Sequence, residues 1–205
     1  MADPLRFYFD FASPYAWFAL RRIGALAAAH GREIAYRPVI LWAVLKAQGI
    51  EDPMASEARK SYMLADMARS AAFFDAPFRF PEPFRISTHR IARLFHALTA
   101  TRPEIAADFA RAAFESFFVR GENIAAPEAL PAIRAVTGLD GEALAALIDS
   151  AAGRYGLEAA VQSAIGAGVI GSPFFVLDGE GFFGADRLPQ IEWRLAAVET
   201  KGRTK

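Results

Sequence analysis

The start of the chain alternates between apolar runs and a segment with a helical pattern. Residues 5–9 are almost entirely apolar and aromatic, which is typical of a buried strand. Ser13 is a good N-cap and Pro14 suits the first position of a helix, so we predict a helix from there to about His30. Residues 33–37 alternate polar and apolar side chains, which predicts a second strand. This order indicates a βαβ unit with two parallel strands.

The middle of the chain, from Leu41 to about Gly153, has a helical pattern that is rich in alanine. Its breaks fall at turns that contain glycine or proline, and the spacing predicts roughly five helices. Asp140 precedes one of the apolar runs and is predicted to cap the helix that follows.

The end of the chain returns to strands. We predict a helix over residues 155–167, a strand over 174–177, a turn at Asp178-Gly179 and an antiparallel strand over 180–183. An Asp-Gly pair between apolar runs is one of the strongest short signals for a hairpin. A last helix is predicted from Leu188 to about Val198, followed by a charged tail that we expect to fray.

These elements predict an α/β chain with a thioredoxin-like fold and a large inserted all-α domain. Residues 1–44 and 154–205 are expected to form a discontinuous thioredoxin-like domain. Residues 45–153 are expected to form the inserted α-helical domain.

The composition and charge of the chain limit the classes of function that the protein can have. Hydrophobic residues make up 54% of the chain and include 18 phenylalanines, so we expect a large packed core and apolar surface for a partner subunit. No apolar run reaches the roughly 18–20 residues of a membrane span. The first six residues lack the features of a secretory signal, so we expect a cytoplasmic protein. The formal net charge is zero and no basic stripe is visible, which argues against nucleic-acid binding.

Cysteine is absent, which excludes disulfides, thiolate metal sites and a dithiol redox pair within the chain. With only three histidines, the sequence also argues against a dedicated metal cluster.

The segment Ser13-Pro14-Tyr15-Ala16 is the first candidate for chemistry. It lies where a strand leads into a helix, so Ser13 meets unpaired backbone N–H groups and the positive end of the helix dipole. Thioredoxin-like enzymes place Cys-Pro-x-Cys at this point, where a thiolate is stabilised. Ser13 as a simple N-cap is an equal alternative.

Two segments near the end of the chain are further candidates. A cis peptide bond before Pro173 would turn the backbone of Ser172 toward a peptide-like ligand, although a trans loop proline is the commoner case. Gly184 allows close approach of a ligand, and Asp186 can accept from an ammonium group. Asp186 can equally cap the last helix.

Taken together, these motifs resemble the 2-hydroxychromene-2-carboxylate isomerases and the related kappa-class glutathione transferases. The matching segments are Tyr8 to Tyr15, Arg37 to Leu41, Lys46, Gly49, Gly168 to Val176 and Phe183 to Leu188. The resemblance spans nearly the whole chain, with specific motifs at its two ends and only general similarity in the helical middle.

The resemblance implies that glutathione is the cofactor. Ser13 would then be the catalytic residue, with its hydroxyl on the glutathione sulfur, and the backbone of Ser172 would pair with the cysteinyl part. Gly184, Ala185 and Asp186 would hold the γ-glutamyl end. A homodimer is also implied.

The substrate side implied by the resemblance includes Lys46 and the turn with Asp52 and Pro53. Many relatives have Asn-Pro or Asn-x-Pro in that turn, whereas this chain has Glu51-Asp52-Pro53. Arg85 and Arg90 are candidates for binding a substrate carboxylate. For these basic residues, exposure on a helix face is the commoner case.

The resemblance therefore implies a glutathione-dependent isomerase that acts on an unsaturated aromatic keto acid. A kappa-like transferase or peroxidase, which consumes glutathione, is one alternative. A thioredoxin-like binding protein without catalysis is the other.

Overall fold

A mixed four-stranded sheet forms the centre of the fold. The computed structural model describes residues 3–202, with side chains for residues 3–197. The strands, in chain order, are β1 (Leu5–Phe9), β2 (Ile34–Pro38), β3 (Phe174–Leu177) and β4 (Glu180–Phe183). Their spatial order is β2-β1-β3-β4. β1 is parallel to β2 and antiparallel to β3, and β3 is antiparallel to β4, so the predicted βαβ unit and hairpin are both confirmed.

Nine α-helices surround the sheet in the described part of the chain. They are α1 (Pro14–Ala29), α2 (Leu41–Ala47), α3 (Glu57–Phe73), α4 (His89–Thr99), α5 (Ala106–Glu115), α6 (Pro131–Thr137), α7 (Gly141–Ile148), α8 (Ala151–Gly166) and α9 (Leu188–Gly202). This arrangement confirms the thioredoxin-like fold with a helical insertion.

The prediction of roughly five helices between Leu41 and Gly153 was too low, since six α-helices, α2 to α7, begin and end there. α8 begins four residues before the predicted start at residue 155, because Ser150 caps it by accepting from the Gly153 N–H at 3.1 Å. The predicted cap of α7 is confirmed, with Asp140 accepting from the Ala143 N–H.

Some of the sequence predictions fall on residues that the structure does not describe. α9 continues to Gly202, past the predicted end at Val198. The last three residues of the predicted frayed tail lie outside the described residues. The first two residues of the segment judged to lack a secretory signal also lie outside them. Within the described chain, no helix has the length and apolar character needed to cross a membrane.

The aromatic residues of β1 join the sheet and the inserted helices in one core. Phe7 stacks on Phe175 of β3 with ring centroids 5.0 Å apart, and Phe9 contacts Phe114 of α5 at 5.6 Å. All four rings are fully buried. Aromatic pairs of this kind stabilise a core by about 0.5–1.5 kcal/mol beyond the burial of their area. The division into residues 1–44 with 154–205 and residues 45–153 stays a prediction, because sheet and insertion share this core.

Helices α4 and α8 pack closely because α8 has glycine at the contact. A Cβ on Gly156 would lie 2.7 Å from the Cβ of His96 in α4, and one on Gly153 would lie 3.0 Å from the Arg93 carbonyl oxygen. His96 in turn donates from Nε2 to the carbonyl of Pro38 at the end of β2, at 2.8 Å. The histidine thus ties α4 to the sheet beneath α8.

His96 is expected to make the protein less stable in mild acid. Burial lowers the pKa of His96 below its usual value of 6.5, although its hydrogen bond to Pro38 opposes the shift. As the pH falls through 6.5, the unfolded chain therefore takes up a proton that the folded protein does not. The free energy of unfolding should fall by up to about 1.4 kcal/mol per pH unit, and level off below the folded pKa.

Urea unfolding of the native protein and of His96→Gln between pH 8 and pH 5 measures this effect. Glutamine keeps an N–H donor for Pro38 and does not titrate, so the variant should show the smaller pH dependence. Equal pH dependence in the two proteins would contradict the assignment.

Candidate functional site

A cavity of about 500 Å³ opens where the N-terminus of α1 meets the loop before β3. One part of its wall is polar and comes from the α1 start, the Gly171-Ser172-Pro173 loop and the turn after β4. The other part is apolar and comes from α2, α3 and the segments before and after them. The volume lies in the range of small-molecule sites, roughly 300–1,000 Å³.

Ser13 and Ser172, which are far apart in the sequence, meet at the polar end of this cavity. The Ser13 hydroxyl donates to the Ser172 carbonyl oxygen at 2.8 Å and accepts from the Ala16 N–H at 3.3 Å. Both serines are buried, at 9% exposure each. The bond between Ser172 and Pro173 is cis, as the sequence suggested. The hydroxyl therefore lies at the start of a 16-residue helix, beside a backbone segment that faces the cavity.

Asp10 connects the segments that form the site, and the sequence analysis did not identify it as a site residue. Its carboxylate accepts from the Ala12 N–H and the Leu41 N–H, both at 2.9 Å, and from the Thr88 hydroxyl at 3.0 Å. Its own N–H donates to the Ser172 Oγ at 2.9 Å. Asp10 thus fixes the loop before α1, the start of α2, the start of α4 and the loop before β3 relative to one another.

Burial raises the pKa of Asp10 above its usual value, although its three hydrogen-bond donors oppose that shift. The sequence did carry a signal for this residue. A carboxylate placed inside an aromatic run, directly after a buried strand, is costly to bury unless donors surround it.

The turn after β4 brings Gly184, Ala185 and Asp186 to the same cavity. Gly184 has φ +107°, a backbone conformation that side chains disfavour, and its N–H donates to the Pro173 carbonyl at 3.0 Å. This φ favours glycine, and a Cβ at Gly184 would require the Asp186 carboxylate to move. Asp186 is largely exposed and forms an ion pair with Arg187 at 3.2 Å.

Only one of the residues predicted for the substrate side lies in the cavity wall. Pro53 lines the cavity, whereas Lys46, Asp52 and Arg85 do not belong to its wall. Arg85 is instead bound to Asp52, with a nitrogen-to-oxygen distance of 2.8 Å, and lies over the ring of Trp42. Lys46 is exposed in the last turn of α2. This ion pair with Asp52 neutralises the Arg85 guanidinium, which was predicted to bind a carboxylate of the substrate.

The cavity wall on this side is mostly apolar. It is formed by Trp42, Pro53, Met54, Met63, Met67, Phe84, Ile86 and Ile170. Methionines fill irregular space and contact aromatic rings favourably, so such a wall suits a flat aromatic molecule. The Asp52 carboxylate, just outside this wall, binds Arg85 and accepts from the Met54 N–H at 2.7 Å.

Tyr15, two residues into α1, connects the tip of that helix to α3. Its hydroxyl donates to the Asp66 carboxylate at 2.7 Å, and Arg69 donates to the same carboxylate. Burial and the adjacent Asp66 raise the pKa of Tyr15, so the phenol stays protonated at neutral pH. The pair holds α3, with Met63 and Met67, over the cavity. No local sequence pattern indicates this pair, because the two residues are 51 positions apart.

The site offers a polar end and an apolar end to a single ligand. Among residues 3–197, no three acidic or histidine side chains converge as a metal site would require. The polar end offers one hydroxyl, a helix N-terminus and an exposed turn backbone.

Comparison with known proteins agrees with this fold. The profile of the DSBA-like thioredoxin domain matches residues 4–196. A 2-hydroxychromene-2-carboxylate isomerase of Sphingobium xenophagum is 31% identical over 194 residues, which cover 94% of this chain and 97% of the relative. Glutathione S-transferase kappa 2 of Caenorhabditis elegans is 27% identical, over 91% of this chain and 89% of its own.

A solved structure of a 2-hydroxychromene-2-carboxylate isomerase superposes with a TM-score of 0.86, covering 98% of each chain at 24% identity, which shows the same fold. The chain therefore belongs to the DSBA-like thioredoxin domain family, as a relative of the 2-hydroxychromene-2-carboxylate isomerases.

Proposed function

We propose that the protein is a glutathione-dependent isomerase of an unsaturated aromatic keto acid such as 2-hydroxychromene-2-carboxylate. The observation that carries this proposal is the Ser13 hydroxyl at the N-terminus of α1, 2.8 Å from the Ser172 carbonyl, at the polar end of an otherwise apolar cavity. The similarity to the Sphingobium isomerase over nearly the full length of both chains supports it.

The polar end of the cavity fits glutathione. The Ser172 carbonyl faces Ser13 and is suited to accept from the peptide N–H of the cysteinyl residue. Gly184 has no side chain to fill the space beside Asp186. Its backbone, with that of Ala185 next to it, is therefore open to the γ-glutamyl end. The Asp186 carboxylate can accept from the γ-glutamyl ammonium group.

The same residues suffice to keep a thiol ionised. A free cysteine-like thiol has a pKa of about 8.5, and lowering it by two units takes about 2.7 kcal/mol. A partly buried helix N-terminus contributes up to about 2 kcal/mol, and one hydroxyl donating to a charged acceptor a further 1.5–3 kcal/mol, roughly. No general base is required, and serine cannot form a mixed disulfide with the bound thiol.

When bound, glutathione would supply a thiolate able to add reversibly to a conjugated carbon of the substrate, which would permit rotation about the resulting carbon–carbon single bond. The protein's part is to donate from Ser13, to hold the backbone of Ser172 in register, and to keep the aromatic substrate against Met63, Met67 and the ring of Trp42. Serine acts as a donor here, and no histidine that could serve as its base contacts it in the described structure.

A transferase activity is the second candidate, favoured by the similarity to the kappa-class enzyme of Caenorhabditis elegans. The two activities differ in stoichiometry. An isomerase leaves the amount of free thiol unchanged, whereas a transferase or peroxidase consumes it.

The deciding experiment incubates the purified protein with 2-hydroxychromene-2-carboxylate and glutathione, and follows both the substrate spectrum and free thiol. We expect conversion that depends on glutathione at constant thiol. Conversion with loss of thiol would replace the isomerase with a transferase. No conversion, together with no calorimetric binding of glutathione, would leave only a thioredoxin-like binding protein.

A homodimer in the cytoplasm remains part of this proposal. Light scattering at micromolar concentration tests the dimer, and a monomer alone would contradict it.

A further inference from the structure

Few groups in the cavity can meet a charged substrate. Among the described residues, the ionisable side chains in its wall are Asp10, Tyr15, His89, Asp186 and Arg187. The substrate of an aromatic acid isomerase carries a carboxylate, and an apolar wall cannot compensate its desolvation. A side chain of the wall that can donate to an anion is therefore the group best suited to meet it.

Four of the five are committed elsewhere. Asp10 accepts from three donors, and the Tyr15 hydroxyl donates to Asp66. Asp186 and Arg187 lie on the turn after β4, which the proposed function assigns to the γ-glutamyl end of glutathione. These contacts leave His89, which lies in the wall on the side of Asp10.

His89 is an exposed side chain of the cavity wall, at the start of α4. It is the first residue of α4 and follows Thr88, whose hydroxyl is bound to the buried Asp10 at 3.0 Å. Its Nδ1 lies 3.3 Å from the Ser87 hydroxyl. When Ser87 donates to Nδ1, the hydrogen of the imidazole is on Nε2, the nitrogen available to a ligand.

We propose that His89 is the specificity residue of the site: it donates to the carboxylate of an aromatic acid that lies against the methionine-lined wall. This inference rests on the proposed function, because it names the group that recognises the substrate of that reaction. It replaces the sequence-based candidates Lys46 and Arg85, which do not line the cavity. The substrate class it implies is a flat aromatic monocarboxylate.

Binding without glutathione tests this proposal separately from catalysis. Calorimetry compares 2-hydroxychromene-2-carboxylate with its uncharged methyl ester, in the native protein and in the His89→Ala and His89→Gln variants. We expect the native protein to bind the acid about tenfold more tightly than the ester, in line with a hydrogen bond to a charged group. His89→Ala should remove this preference, and His89→Gln, which keeps an N–H donor, should retain part of it.

Arg85→Gln is the matched comparison, because it removes a positive charge just outside the cavity. If Arg85→Gln abolishes the preference for the acid and His89→Ala does not, the proposal is overturned. Equal binding of acid and ester by the native protein, or binding of neither, overturns it as well. A protein that prefers the acid through His89 but fails to isomerise it would leave this inference standing and refute the isomerase function instead.

Discussion

Replacing Ser13 with alanine is expected to raise the pKa of glutathione bound at α1 by about one to two units. The Ser13 hydroxyl is the donor placed for the sulfur, and such a hydrogen bond to an anion is worth roughly 1.5–3 kcal/mol, at 1.36 kcal/mol per pKa unit. Ultraviolet titration of the bound thiolate measures the shift directly. Isomerase activity at neutral pH should fall in parallel.

The hydroxyl has a single hydrogen, which in this structure is directed at the Ser172 carbonyl. It must turn to the sulfur when the thiol binds, and the peptide N–H of glutathione is then available to the carbonyl. Ser13→Thr retains a hydroxyl and should keep most of the lowered pKa.

Ser163→Ala is the matched control, because it removes an exposed hydroxyl whose partner is the Tyr8 hydroxyl, at 2.9 Å, and which does not line the cavity. It should leave the bound-thiol pKa unchanged. Ser13→Ala also removes a cap from α1, which costs about 1 kcal/mol of stability. An unshifted thiol pKa in a folded Ser13→Ala protein would remove Ser13 from the mechanism.

Replacing Asp10 with alanine is expected to lower the free energy of unfolding by about 3 kcal/mol. Three donors lose their acceptor, at roughly 1–3 kcal/mol for each buried group left unsatisfied. Part of that loss of stability is offset, because burial of the carboxylate is itself unfavourable, as its raised pKa indicates. Urea unfolding at neutral pH measures the change. Asp10→Asn should cost less, since the amide oxygen still accepts while its NH₂ faces a donor.

Asp140→Ala provides the control for Asp10. Asp140 caps α7 from an exposed position, so its loss should cost only about 1 kcal/mol. Equal losses for the two aspartates would show that Asp10 does not organise the site. If Asp10→Asn retains stability but loses binding of both glutathione and the aromatic acid, the residue acts chiefly by positioning the α1 loop and the start of α4.

The sequence predicted the elements whose signals are local. The strand at residues 5–9, the Ser13-Pro14 helix start and the Asp178-Gly179 hairpin each follow from neighbouring residues. Caps and turns act over two to four positions, so their chemistry is visible in a single chain. The motifs at Ser13 and Ser172 were found in the same way, although nothing local indicated that the two serines touch.

The sequence did not indicate the contacts between distant segments. Arg85 was considered for a substrate carboxylate, and the structure pairs it with Asp52, 33 positions away. The bond between Thr88 and Asp10 spans 78 positions and that between Tyr15 and Asp66 spans 51. No propensity or periodicity encodes such pairs, since each depends on how the inserted helices pack on the sheet.

The sequence by itself determined the order of strands and helices, the lack of cysteine chemistry and the presence of a serine at the tip of the first helix. Only the tertiary structure decided which groups share the cavity: Ser13 beside Ser172, Asp10 beneath both, and His89 in the wall where Arg85 was expected. The physical reason is the separation along the chain over which each kind of interaction acts. Backbone preferences act between neighbours, whereas hydrogen bonds and ion pairs join any groups that the common aromatic core brings within about 3 Å.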